Sequence, residues 1–502
     1  MYILAVIILY FALLMGVSRL TSRRADNATF YRADRRSPWY MVAFGMVGAS
    51  ISGVTFISVP GMVISRDMTY LQTCIGFIPG YFAVAFLLMP LYYRYNVTTI
   101  YTILQRRLGN RSYKTGSAFF ILSKMTGAAV RFYVVCILLQ RFVADRCDVP
   151  FAVTVIVLAV LIWLYTRAGG IKTLVWTDTL NTILMFTALL LIIRYVCREL
   201  GMSPADAVTA VARDAHGRIF VFDDFMSPDN FWKQFVSGAF IVIVMTGLDQ
   251  DMMQKNLTCR SLTDARKDLC TYGFAFVPAN MLFLALGVML VMLFDMQGTA
   301  LPASGDDLLP MFVEDTAASD IHSSSVVLYT ALIIGITASS FSSADSALTA
   351  LTTCWCVDIC DKPDDERLRR RAHIGITAVF AVIILAVDAF NTTSIIDAIY
   401  ILCSYTYGPL LGLFAYAMTI GRRGGAADKA APFIAVASPV SCLIIARVTA
   451  ALTGYRFGYE MLLLNGLITF TALLIASPPR RRRHRMPRMR RMMRMLRCRR
   501  SP

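Results

Sequence analysis

Apolar residues fall along the chain in runs of about 20, each long enough to cross roughly 30 Å of hydrocarbon as a helix. Thirteen such spans are read, at 1–18, 39–64, 69–91, 115–139, 150–166, 172–194, 234–252, 268–294, 325–356, 372–389, 395–418, 431–450 and 459–477. The polar stretches between them are mostly short. The pattern predicts an all-α polytopic membrane protein. Only 16% of the 502 residues are charged, too few to solvate a water-soluble chain of this length.

Charge gives the runs a direction. Stretches 19–38, 92–114, 167–172, 253–267, 360–371, 421–429 and the tail hold 37 of the 49 Lys and Arg residues, and the opposite side holds 10. This positive-inside bias predicts the N-terminus outside and the C-terminus inside. The first run has no basic residue before it, and Arg19, Arg23 and Arg24 follow it. It reads as a retained helix rather than a cleaved leader. Two outer loops, near 195–233 and 295–324, are expected to be ordinary solvated connections, with capping of an outer vestibule as the alternative.

The formal charge of +17 suggests a polyanion partner until it is located. Twelve arginines lie between Arg480 and Arg500. That low-complexity tail is expected to be disordered and to touch anionic lipid headgroups. Nothing else supports nucleic-acid binding, and no obligate protein partner is evident. Twelve cysteines lack metal-ligand spacing and four histidines form no constellation, which argues against a metal centre or a nucleophilic triad. The chain is therefore not expected to be an enzyme. Cys147 and Cys197 are a candidate outer disulfide.

The informative positions are polar interruptions inside apolar spans, where an unsatisfied polar group costs several kcal/mol. The second span, from Trp39 to Gly61, carries Gly45, Gly48, Ser50, Ser52, Gly53 and Thr55 near its middle. Small residues there serve either close helix packing or a helix that opens and frees carbonyls for a cation. In the ninth span Ser339, Ser342, Ser343 and Ser346 form one hydroxylated stripe, with Asp345 beside it. Paired hydroxyls facing an opened helix are hard oxygen ligands for a small alkali ion; the alternative is back-bonding within their own helix. Asp178 opens the sixth span. Lys124 and Arg131 share a face of the fourth, and Arg131 lies too far from either end to reach the interface. Asp178, Asp345 or an anionic substrate group is the expected partner of Arg131, with structural pairing the default.

The seventh span ends in TGLDQDMMQKN, where Thr246 and Gly247 predict a second break. Spans 2–6 and 7–11 then form two groups of five, and an odd number inverts the second group in the membrane. The predicted organisation is a first helix and basic loop at 1–38, one repeat at 39–194, an outer loop at 195–233, the second repeat at 234–418, two peripheral helices at 419–477 and the arginine tail at 478–502.

Four stretches in this order resemble the sodium:solute symporter family: SISGVTFISVPG at 50–61, YTRAGGIKTLVWTD at 165–178, GLDQDMMQKNLTCRSLTDARKDL at 247–269 and SSADSALTALTTCWCVDI at 342–359. The resemblance covers about residues 1–477. It implies a LeuT-like core of two inverted five-helix repeats. It also implies a sodium site from the carbonyls of Gly48, Ile51 and Ser339 and the hydroxyls of Ser342 and Ser343. Asp178 matches a family aspartate implicated in sodium handling. Thr55 and Cys74 fall at two substrate positions of the sugar-transporting branch, and a cysteine in place of a carboxylate weakens a sugar reading. Lys124 and Arg131 tilt the expectation toward an anionic or zwitterionic solute.

The implied activity is sodium-coupled import of a small polar solute across a plasma membrane, expected to be a bacterial inner membrane. A sodium-coupled sugar transporter, an uncoupled transporter and a membrane sensor are the alternatives. The sensor is disfavoured because only the arginine tail follows residue 477.

Overall fold

The chain is described by a computed structural model covering residues 2–22, 26–145, 148–167, 169–225, 227–319, 323–389, 395–421, 425–455, 457 and 460–477. Cys147, Arg23, Arg24 and the arginine tail lie outside the described residues. Cys197 Sγ lies 3.9 Å from Met289 Sδ, and the candidate pairing with Cys147 lies outside the described residues.

The principal helices are α1 (Tyr2–Thr21), α2 (Trp39–Ser50), α3 (Gly53–Arg66), α4 (Tyr70–Ala83), α5 (Asn110–Leu139), α6 (Phe151–Thr166), α7 (Ile171–Glu199) and α8 (Phe231–Val242). They continue as α9 (Gln250–Asn256), α10 (Leu262–Gln297), α11 (Leu308–Ser319), α12 (Ser323–Cys354), α13 (Glu366–Ala389), α14 (Ile395–Thr419), α15 (Ala426–Thr453) and α16 (Met461–Ala476). Among the described residues the only β-type pairing is an isolated bridge between Ser37 and Cys259. Among the described residues seven helices are long and apolar enough to cross a membrane, or up to nine if each of two bent pairs is one span. Three shorter apolar helices, Ala5–Thr21, Phe151–Thr166 and Met461–Ala476, accompany them.

Both bends fall where the sequence is rich in small or polar residues. α2 and α3 meet at 62°, and Ile51 and Ser52 leave helical geometry between them. The N–H groups of Ser52, Gly53, Val54 and Thr55 close no helical turn onto the carbonyls of Gly48, Ala49, Ser50 and Ile51. In the second bend the chain turns by 73° after a π-helical stretch, Ile243–Gly247. Asp249 then caps α9, accepting from the backbone N–H groups of Asp251 (2.8 Å) and Met252 (3.3 Å). A capping carboxylate satisfies donors that the new helix would otherwise leave orphaned in an apolar interior.

The core is built by α7 against α12 and α2, and by α4 against α8. Gly76 shows why α4 and α8 approach so closely, because a Cβ there would strike the Phe235 backbone carbonyl. Small residues thus serve both ends read from the sequence, opening at one bend and tight packing elsewhere.

Two expectations need correction. Residues 253–267 were read as an inner loop, but their first part lies in α9, whose Lys255 and Asn256 are fully buried. The outer loops are more than solvated connections. Met68 N–H donates to Arg218 O (3.1 Å), Gln72 Nε2 donates to Asp229 O (2.9 Å), and Val221 N–H donates to Gln72 Oε1 (3.1 Å). Gly305, in the second loop, packs directly on the backbone of Gly61. Both loops are therefore tied to the broken helix and its successor.

Candidate sodium and substrate site

The first bend and the serine stripe meet. Ser343 Oγ donates to the freed Ala49 carbonyl (2.9 Å) and also to Ser339 O in its own helix (3.3 Å). Ser342 Oγ donates to Asp178 Oδ1 (2.5 Å), which links α12 to α7. Ser339 bonds back to Ile336 O (3.0 Å), so Ser339 follows the local alternative, Ser343 does both, and Ser342 reaches another helix. The carbonyls of Gly48 and Ile51 accept no backbone hydrogen bond among the described residues. Gly48 packs against Thr182 so closely that a side chain would collide with it. Free carbonyls and paired hydroxyls within one junction are the hard oxygen donors an alkali cation needs.

Asp178 does not stand alone. Its Oδ2 lies 2.7 Å from Lys255 Nζ, and both side chains are at most 2% exposed. Asp345, equally buried, accepts from Tyr165 OH (2.7 Å). Neither carboxylate pairs with Arg131, so the expected partners of that arginine are engaged elsewhere. On the same helix Lys124 is paired instead: it sits 3.2 Å from Asp249 Oδ2 and 2.7 Å from Asp251 Oδ2. Tyr407 OH donates to the same Asp249 carboxylate (2.5 Å).

A cavity enclosing about 1120 Å³ of non-protein space, partly open to solvent, lies between the first bend, α4, α5, the second bend, α10 and Tyr407. Ser50, Ser52 and Thr55 line it from the bend, while Lys124 and Arg131 line it from α5. Phe77, Tyr81, Tyr272 and Phe276 supply aromatic walls. Few convergent polar groups in a largely aromatic cleft are what a small-solute site requires. Arg131 is half-buried and forms no ion pair among the described residues. Among the described residues no carboxylate neutralises its guanidinium.

Of the residues singled out from sequence, Thr55 and Arg131 reach the cavity, while Cys74 is fully buried outside its lining. Gly48, Ile51, Ser339, Ser342, Ser343 and Asp178 gather around the first bend. Lys255, Tyr165 and the pair Asp249 and Asp251 were not assigned a role. The stretch 247–269 carried the only signal for three of them, an acidic and amide-rich run directly after a predicted break.

Residues 30–426 match the model of the sodium:solute symporter family. The sodium/sialic acid symporter NanT of Aliivibrio fischeri is 24% identical over 475 residues, covering 89% of this chain and 88% of its own. The sodium/sialic acid symporter SiaT of Proteus mirabilis is 22% identical, covering 90% and 91% respectively. A solved Na+-coupled sialic acid symporter, in a substrate-bound outward-open state, superposes with a TM-score of 0.79 at 20% identity, over 95% of this chain and 98% of its own. With most of its length matched by the family model, the chain belongs to the sodium:solute symporter family.

Proposed function

We propose that this symporter imports a small carboxylated solute, anionic or zwitterionic, together with sodium by alternating access. The observation that carries the substrate class is Arg131, a cation lining the cavity that has no counter-ion among the described residues. A guanidinium binds a carboxylate through two parallel hydrogen bonds, which fixes orientation as well as charge. The cavity's other cation, Lys124, is already held by two carboxylates. Two relatives named for sialic acid, itself a carboxylated sugar, support the same class. A neutral sugar can accept hydrogen bonds from the guanidinium but leaves its charge uncompensated, so the sugar alternative is not favoured.

Sodium binds in this reading at the first bend, to the carbonyls of Gly48, Ile51 and Ser339 and the hydroxyls of Ser342 and Ser343, with Asp178 assisting. The contact between Ser343 and Ala49 supports that assignment, because it already joins α12 to the bend. Sodium entering from outside holds the two helices together and orders the bend. Thr55 and Arg131 then receive solute in the adjoining cavity, with Cys74 behind them. Each ligand stabilises the same conformer and so raises affinity for the other. One inward charge contributes about 2.3 kcal/mol per 100 mV of membrane potential.

The paired bends support two inverted repeats, 39–194 and 234–418, within a thirteen-span chain whose N-terminus lies outside a bacterial inner membrane. The segment 1–38 precedes the first repeat, the loop 195–233 joins the two, helices in 419–477 lie at the periphery, and the tail 478–502 meets lipid. The test is uptake into proteoliposomes with labelled sialic acid, other carboxylated solutes and neutral sugars, with and without a sodium gradient. Sodium-dependent uptake of a carboxylated solute is expected. Uptake indifferent to sodium, or confined to neutral sugars, overturns the reading.

A further inference from the structure

Away from the first cavity, a second one, partly open to solvent and holding about 870 Å³ of non-protein space, lies between the end of α6 and the start of α13. Arg167, Arg369 and Arg370 line it against a single acidic residue, Glu366. Trp163, His373 and Ile374 complete it. Arg369 is only 2% exposed. Its guanidinium is stacked 4.4 Å from the Phe30 ring centroid and donates to Arg167 O (3.3 Å) and Glu366 Oε1 (3.4 Å). Its buried Nε has no hydrogen-bond partner. Arg370 also reaches Glu366 (2.6 Å), and the Arg167 guanidinium lies over the Trp163 ring at 5.1 Å.

One glutamate cannot neutralise three guanidinium groups, so the cavity keeps a surplus of two positive charges. A buried donor without a partner is costly unless something accepts from it. His373 cannot be that acceptor, since Thr166 and Thr352 hydroxyls already occupy its two ring nitrogens at 2.9 Å each. A phosphate oxygen suits an arginine cluster best, because guanidinium groups match its geometry bidentately.

The surroundings point to a lipid rather than a soluble anion. Ile156 and Val160 on α6, and Ile374, Val379 and Val382 on α13, are exposed apolar side chains on the two helices whose ends frame the cavity. Trp163 sits near the end of its helix, where indole rings favour the headgroup level. The charge bias of the loops puts this end of both helices on the cytoplasmic side, the leaflet rich in anionic lipid.

We propose that this cavity binds the phosphodiester headgroup of an anionic phospholipid from the cytoplasmic leaflet, with its acyl chains on the exposed faces of α6 and α13. The site does not depend on which solute is transported.

The test uses the full chain in detergent, with phosphatidylglycerol, phosphatidylcholine or inorganic phosphate added, read by native mass spectrometry and by the melting temperature. The variants are Arg167→Gln with Arg370→Gln, and, as a control of equal charge change placed on α13, Arg367→Gln with Arg371→Gln. The arginine tail is common to all three proteins. Phosphatidylglycerol is expected to remain bound and raise the melting temperature of the wild type and the control. In the cavity double variant its affinity is expected to fall about 5-fold per arginine removed. Equal losses in both double variants would mean diffuse surface attraction and overturn the site. No preference over phosphatidylcholine would do the same. An equal shift with inorganic phosphate would overturn the lipid assignment in favour of a soluble phosphate.

Discussion

Lys255 and Asp178 form an ion pair of 2.7 Å in which neither side chain is more than 2% exposed, tying the short helix after the second bend to α7. Because Asp178 also accepts from Ser342, the pair connects both bends to the serine helix. Removing one partner of a buried pair leaves an uncompensated charge and costs about 3–5 kcal/mol, whereas replacing both is far milder. Lys255→Met is therefore expected to lower the unfolding midpoint in detergent strongly, and Lys255→Met with Asp178→Asn to recover most of the loss. A double-mutant cycle measures the coupling. Coupling below about 0.5 kcal/mol would show the two groups to be independent.

Ser343 is the one stripe hydroxyl that reaches the opened helix. Ser343→Ala removes its hydrogen bond to the Ala49 carbonyl, a loss of about 0.5–1.5 kcal/mol. If the same hydroxyl serves sodium, half-saturating sodium for uptake rises up to about tenfold, as that energy range requires. Ser342→Ala together with Ser343→Ala is expected to abolish sodium stimulation while folded protein is still recovered. Sodium titrations of uptake decide this, and an unchanged sodium curve in the double variant would remove both serines from the site.

The two cations of α5 that line the cavity make opposite predictions. Arg131→Gln removes a guanidinium with no counter-ion among the described residues, so folding is expected to change little while affinity for a carboxylated solute falls. Loss of a buried charged hydrogen-bond pair costs about 2–5 kcal/mol, which is roughly 30-fold or more in half-saturation. Lys124→Gln instead strands Asp249 and Asp251, so the melting temperature falls before transport can be compared. Ligand binding and melting curves on both variants separate the cases. A destabilised Arg131→Gln with unaltered solute affinity would make that residue structural.

The legible parts of this site are those whose chemistry is local. Glycines and serines around Ile51 marked the first bend, Thr246 and Gly247 marked the second, and the spacing of Ser339, Ser342 and Ser343 put three hydroxyls on one face. The partners were illegible because each pair spans a long stretch of chain. Lys255 reads as a loop lysine under the positive-inside rule, and only the 73° bend folds it back onto Asp178. Tyr165 lies 180 positions from the Asp345 it donates to. Lys124 and Arg131 share a helix face and both line the cavity, yet one is paired and the other is not, because only Lys124 faces the cap of α9. Periodicity reports a face and says nothing of what stands opposite.

Two glycines test that distinction with the same one-methyl change. A Cβ on Gly48 would lie 2.8 Å from Thr182 Cβ and 3.1 Å from its Cα, forcing α2 away from α7 beside the freed carbonyls. Such overpacking costs about 1–3 kcal/mol, so Gly48→Ala is expected to lower both the melting temperature and sodium affinity. Gly127 lies on α5 between Lys124 and Arg131, and a Cβ there meets nothing within 4 Å. Gly127→Ala should stabilise the helix by up to about 1 kcal/mol and leave sodium affinity alone. Gly127→Phe, projecting a ring into the cavity between the two cations, should block uptake while folded protein and its sodium response persist. Melting curves and sodium-induced shifts on the three variants check this. Full transport by Gly127→Phe would show that solute does not occupy this cavity.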